Sequence, residues 1–129
     1  MKLPLLRDHP VPLQIAIAIV LPIAYGALTG VMLGVSETWY LILSLAGILG
    51  GLGAGFDHDG PREAALRGVV GGVLFGGCIL IAHAIAGTDV KADVPDPMIL
   101  LAAITTTSGV ILGAIGGAVR RRTLLRAAA

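Results

Sequence analysis

Apolar residues run along this chain in four long stretches, and nearly every charged residue falls between them. The stretches cover 11–35, 38–56, 64–87 and 98–119, with Arg67 just inside the third. Each is close to the ~20 residues a helix needs to cross a hydrocarbon core of about 30 Å. Their apolar residues do not alternate with polar ones, as the strands of a membrane barrel would. Helices satisfy their own backbone polar groups in lipid. The pattern therefore predicts an all-α integral membrane protein, one domain over 1–129, built as a four-transmembrane-helix bundle. It has a loop at 57–63, an opposite loop at 88–97 and a basic tail at 120–129. The first stretch outruns the ~7–15 apolar residues of a cleaved signal peptide and is expected to be retained.

Inside the apolar pattern lies a second one. Gly47, Gly50, Gly51 and Gly55 recur at helical spacing on one face of the second stretch, with Ala54 among them. Gly68, Gly71, Gly72 and Gly76 do the same in the third, and Gly109, Gly113, Gly116 and Gly117 in the fourth. Gly26, Gly30 and Gly34 follow at four-residue spacing in the first. In lipid, helices associate by close van der Waals contact, which small residues permit. These glycine-rich faces are expected to be packing faces. Gly53 and Gly77 widen the small surface beyond one stripe, which favours a homo-oligomer or a larger membrane complex as the partner besides the bilayer. Pro22 predicts a kink in the first helix.

Composition strengthens the membrane reading. The 129 residues are 56% hydrophobic and 13% charged, against roughly 25% charged in soluble domains. A net charge of +1 gives no basis for nucleic-acid binding. The one cysteine, Cys78, allows no internal disulfide. Charge placement is more informative than its sum. Of the nine Lys and Arg residues, all but Lys91 fall on the side that holds both termini and loop 57–63: Lys2, Arg7, Arg62, Arg67, Arg120, Arg121, Arg122 and Arg126. Lys91 shares the other side with Glu37, Asp89, Asp93 and Asp96. The positive-inside rule then puts both termini in the cytoplasm of a protein of the cell membrane, with Trp39 and Tyr40 at the outer headgroup level.

The stretch GGLGAGFDHDGPREAALRG invites a ligand-loop reading, but its chemistry does not support one. It lacks the Lys and Ser/Thr of a phosphate loop and the third glycine of a dinucleotide fingerprint. Asp57, His58 and Asp59 are consecutive and do not converge on one ion. Asp59 or Gly60 is placed to cap the third helix, Pro61 to sit in its first turn and Glu63 to favour its positive end. Asp57, Asp59, Arg62, Arg67, Arg120, Arg121 and Arg122 are expected to form a charge network or to meet lipid headgroups. No catalytic group, cofactor or metal site is expected, and the chain does not read as an enzyme.

Polar side chains within the stretches are few. His83 shares the face of Gly72 and Gly76, and Thr105, Thr106, Thr107 and Ser108 form a hydroxyl run in the fourth. Such hydroxyls bond to their own helix or bridge to another. His83, Thr105, Thr106 and Tyr25, with Thr29 and Ser44 beside them, are candidates for a polar path. The expected function is a small channel or transporter for an ion or solute, the alternative a non-catalytic subunit or scaffold of a larger membrane complex.

Overall fold

The computed structural model describes residues 4–129 of the chain, and Lys2 lies outside them. Among the described residues there is no strand. Four helices are long and apolar enough to cross a membrane: α1 (Val11–Leu33), α2 (Glu37–Phe56), α3 (Pro61–Ala86) and α4 (Leu100–Ala128). A short 3-10 turn at Leu6–Asp8 precedes α1.

Local chemistry accounts for the helix ends. Ser36 caps α2, its hydroxyl accepting from the Trp39 N–H at 3.4 Å, with Glu37 in the first turn. Pro61 opens α3, where its missing N–H costs nothing. α3 stops at Gly87, whose φ of 64° is open to glycine, and whose N–H returns to the His83 carbonyl. The loop at 88–97 is tied back to α1 by the Lys91 N–H, which donates to the Leu33 carbonyl at 2.9 Å, and it holds a cis Asp96-Pro97 bond. α4 does not stop where its apolar run stops. Arg, Leu and Ala are strong helix formers, so the basic residues ride on the last turns of the helix and no separate tail begins at 120.

α3 is central. It packs most extensively on α4 and next on α1, while α2 packs mainly on α4 and more lightly on α3 and α1. Among the described residues α1 and α4 do not touch. The order around the bundle is thus α1, α3, α4, α2. The helices come together backbone to backbone at specific glycines. A Cβ at Gly109 would lie 2.5 Å from the Gly68 carbonyl oxygen, one at Gly113 2.5 Å from that of Ala64, and one at Gly26 2.5 Å from that of Phe75. Gly55 meets the backbone of Gly113, and Gly30 that of Ile79, still more closely.

The two halves of the bundle differ. Leu33, Tyr40, Phe75, Ile79 and Leu101 form a buried apolar cluster in the half away from the termini. The half near the termini has glycine where those side chains would be, and it contains a cavity.

Candidate functional site

The cavity begins with a flaw in α1. Residues Ala16–Val20 form a π turn, in which the Leu21 N–H bonds the Ala16 carbonyl five residues back. In that register the next donor, to the Ile17 carbonyl, would be residue 22. Pro22 has no N–H. The wider turn also relieves the clash of the proline ring with the preceding turn. It leaves the Ile17 carbonyl without its helical partner, inside an apolar bundle where an unmet polar group is costly.

Arg67 of α3 meets that carbonyl. Its guanidinium Nη2 donates to the Ile17 oxygen at 3.3 Å. Arg67 is six residues into α3, about 9 Å along the helix at 1.5 Å per residue. Its side chain reaches deeper still, since a Cβ at Gly71, one turn further in, would lie 2.9 Å from Arg67 Nη1. Glycine at 71 is what lets the guanidinium lie inward along the helix instead of turning back toward the termini. Asp57, at the end of α2, acts on Arg67 electrostatically without a contact ion pair.

Arg67 and Asp57 line one end of a cavity of about 510 Å³ walled by all four helices. Ile17, Leu21, Pro22 and Tyr25 line it from α1, and the Gly47 to Ala54 face from α2. Gly68, Gly71, Gly72 and Phe75 of α3 and Thr105 and Gly109 of α4 close it. The Tyr25 hydroxyl donates across the bundle to the Leu43 carbonyl at 3.0 Å, and its ring packs on Phe75 with centroids 5.7 Å apart. Thr105 is buried, its hydroxyl shared between the Gly72 carbonyl of α3 at 2.9 Å and the Ala102 carbonyl of its own helix at 3.0 Å. Leu21 of α1 and Ala46 and Gly50 of α2 line the cavity and are also exposed, on two helices that pack only lightly on each other.

The polar-path candidates are therefore split. Tyr25 and Thr105 share the cavity, while Thr106 bonds the Ala102 carbonyl at 2.7 Å outside its lining. Thr29 is fully buried and bonds back to the Tyr25 carbonyl at 2.8 Å. His83 lies near the other end of α3, with its Nδ1 buried and without a hydrogen-bond partner.

The charged residues at the terminal end also divide. Arg7 pairs with Asp59, on exposed side chains. The Leu6 N–H donates to the Asp57 carbonyl at 3.1 Å, which fixes the chain before α1 against the α2–α3 turn. A second cavity of about 150 Å³ there is lined by Arg7, Gln14, Asp57, His58, Asp59 and Glu63 with Leu5 and Leu6. Arg120, only 5% exposed, donates to the Phe56 carbonyl at 3.2 Å and lies 5.5 Å from the Phe56 ring centre. It thereby serves the carbonyl end of α2, a role favoured for a cation by the helix dipole. Arg62, Arg121 and Arg122 are exposed. Among the described residues, no group of three or more His, Cys, Asp or Glu is placed to hold a metal ion.

Sequence reasoning named Arg67 as a charge of the loop and missed its inward reach. The signal was present in three residues: a proline that strips a carbonyl of its donor in α1, an arginine at matching depth in α3, and a glycine one turn beyond it. The chain matches no family model, no curated protein and no solved structure.

Proposed function

We infer that this protein is a membrane transport protein, embedded in the cell membrane with both termini cytoplasmic, and that the cavity bearing Arg67 is its solute-binding chamber. The observation that carries the reading is the guanidinium directed into a cavity of about 510 Å³ among four apolar helices. That volume falls within the ~300–1,000 Å³ of small-molecule sites, which pair an apolar lining with a few placed polar groups. An ionisable side chain at such a position costs free energy that a packing role alone would not recover, and it marks a substrate path more often than a structural one. Carriage suits the lining better than catalysis. Its two hydroxyls, those of Tyr25 and Thr105, are committed to backbone carbonyls, and no nucleophile stands beside a base. The glycine faces then have two duties, close packing toward Gly109 and Gly113, and open space toward Gly50.

Purified protein in liposomes should pass a small solute or ion at a rate that Arg67→Met abolishes. Wild-type liposomes impermeable to inorganic ions, carboxylates and neutral solutes alike would remove the transport reading.

A second reading draws on the surface. A Cβ at Gly50, Gly53 or Gly77 would meet nothing within 4 Å. Open glycine positions on apolar helices suit contact with further copies or with a larger membrane complex, in which this chain would be a non-catalytic subunit. A strictly monomeric protein in nanodiscs, with no co-purifying membrane partner, would count against it.

A further inference from the structure

We propose that the chamber binds a monoanionic amphiphile drawn sideways from the bilayer, its carboxylate or phosphodiester head on Arg67 and its chain along the α1–α2 opening. The inference rests on the reading of this cavity as a ligand chamber and adds the class of ligand.

Three features of the site select that class. The first is the donor count at Arg67. A guanidinium has five N–H donors in a planar fork, and Arg67 spends one on the Ile17 carbonyl. It makes no contact ion pair with Asp57 and it lines the chamber, so donors remain for a ligand there. An oxyanion with two oxygens matches such a fork through paired, charge-assisted hydrogen bonds. The second is Asp57. Asp57 lines the cavity and acts electrostatically on Arg67, so its negative charge opposes a second one on the ligand. A carboxylate or phosphodiester is favoured over a phosphomonoester dianion.

The third is the shape of the opening. Leu21, Ala46 and Gly50 line the cavity while remaining exposed on the flank of the bundle, so the way in is lateral and apolar. Pro22, Ile48 and Phe75 continue the apolar wall inward. Arg67 is about 9 Å along α3 from its start, a depth that the head of an amphiphile in the adjoining leaflet reaches while its chain stays among apolar side chains. A small hydrophilic anion gains nothing from that wall.

The test uses the full chain in nanodiscs of neutral phosphatidylcholine, with radiolabelled dodecanoate as probe and empty nanodiscs to subtract partitioning. Saturable binding is expected, displaced by unlabelled dodecanoate and by phosphatidylglycerol in the disc, and not by dodecanol, dodecylamine or inorganic phosphate. Displacement by phosphatidylglycerol as well as by dodecanoate would admit a resident lipid to the site, and displacement by dodecanoate without phosphatidylglycerol would assign it to a single-chain acid. Either supports the proposal. Arg67→Met should weaken binding at least about tenfold, the weight of a hydrogen bond to a charged group, and Arg67→Lys should fall between. Gly50→Leu places bulk at the opening where a Cβ meets nothing within 4 Å, and it should weaken binding with Arg67 intact, which keeps the test decisive if Arg67 variants fail to fold.

Equal displacement by dodecanol, absence of saturation, or binding indifferent to Gly50→Leu would overturn the proposal. Flux of a small hydrophilic solute without amphiphile binding would overturn it while sustaining transport. Saturable amphiphile binding without any flux would support it while removing the transport reading.

Discussion

Arg67 on α3 and Ile17 on α1 are joined by a hydrogen bond of 3.3 Å that exists because a third residue, Pro22, cannot make it. The bond repairs one helix with a side chain from another, and it should be measurable as a coupling. Arg67→Met alone should lower stability by about 1–3 kcal/mol, the cost of a lost charge-assisted bond that leaves an acceptor buried. Pro22→Ala supplies a backbone donor in the same stretch of α1. In the double variant the loss should be smaller than the sum of the two singles, with a coupling of about 0.5–3 kcal/mol. Reversible unfolding in mixed micelles gives all four corners of the cycle. Additive losses would mean that the proline and the arginine act independently.

Glycines on this bundle should differ in the sign of their response to alanine. Exchange to alanine raises intrinsic helix propensity by up to about 1 kcal/mol. At Gly50, where an added Cβ meets nothing within 4 Å, that gain is unopposed. At Gly109 the same Cβ lies 2.5 Å from the Gly68 carbonyl oxygen, and both partners are backbone with little freedom to yield. Overpacking of about 1–3 kcal/mol should outweigh the propensity gain there. Thermal unfolding in one detergent would show Gly50→Ala unchanged or raised and Gly109→Ala lowered. Equal shifts would deny that α3 and α4 touch through backbone at this point.

What could be read in the sequence, and what could not, follows from the range of the interactions involved. The all-helical architecture and four long apolar helices depend on local composition, and 38–56 could be marked out because its residues share one solvent. The length of α4 could not be read from hydropathy, since helix formation continues through Arg120 to Arg122 where apolarity ends. Arg67 was the larger omission. A position near the charged loop is visible in the sequence, but the direction of a side chain depends on Gly71 in its own helix and on an unmet carbonyl in another. Thr105 and Tyr25 stand out in the sequence by their hydroxyls, and both border the cavity, yet each is tied to a carbonyl whose position only the packing of α3 and α2 determines. His83 shares a helical face with Gly72 and Gly76, and Thr106 belongs to the hydroxyl run of Thr105, and both still fall outside the cavity, because a face is wider than a cavity.

The two bound hydroxyls give a prediction that separates structure from passage. Tyr25→Phe removes the donor to Leu43 and Thr105→Val the donor to Gly72. Interhelical hydrogen bonds in membranes average about 0.6 kcal/mol and reach about 1.7, so each variant should lose stability in that range. Neither hydroxyl has a second proton to offer a solute. Liposome flux, normalised to folded protein, should therefore fall less than threefold, about the effect of one weak hydrogen bond, whereas Arg67→Met should abolish it. A collapse of flux in Thr105→Val with stability unchanged would move the binding role from the guanidinium to the threonine.

Orientation is open to a direct chemical test, and the placement of charge predicts its result. Arg120 is held at the Phe56 carbonyl and Arg7 at Asp59, so the basic end of the bundle is also a structurally fixed end. The opposite loop has Lys91 among three aspartates. Retention of positive loops on the cytoplasmic side then predicts where a thiol will react. Cys78, the only cysteine, would first be replaced by alanine. An Asp93→Cys variant, at an exposed position of the opposite loop, should react with a membrane-impermeant maleimide in intact cells. An Ala127→Cys variant, at the exposed end of α4, should react only in inverted vesicles or after permeabilisation. The reverse pattern would place Arg67 and the chamber opening in the outer leaflet. A carrier of bilayer amphiphiles would then draw its ligand from that side, although the geometry of the site itself would be unchanged.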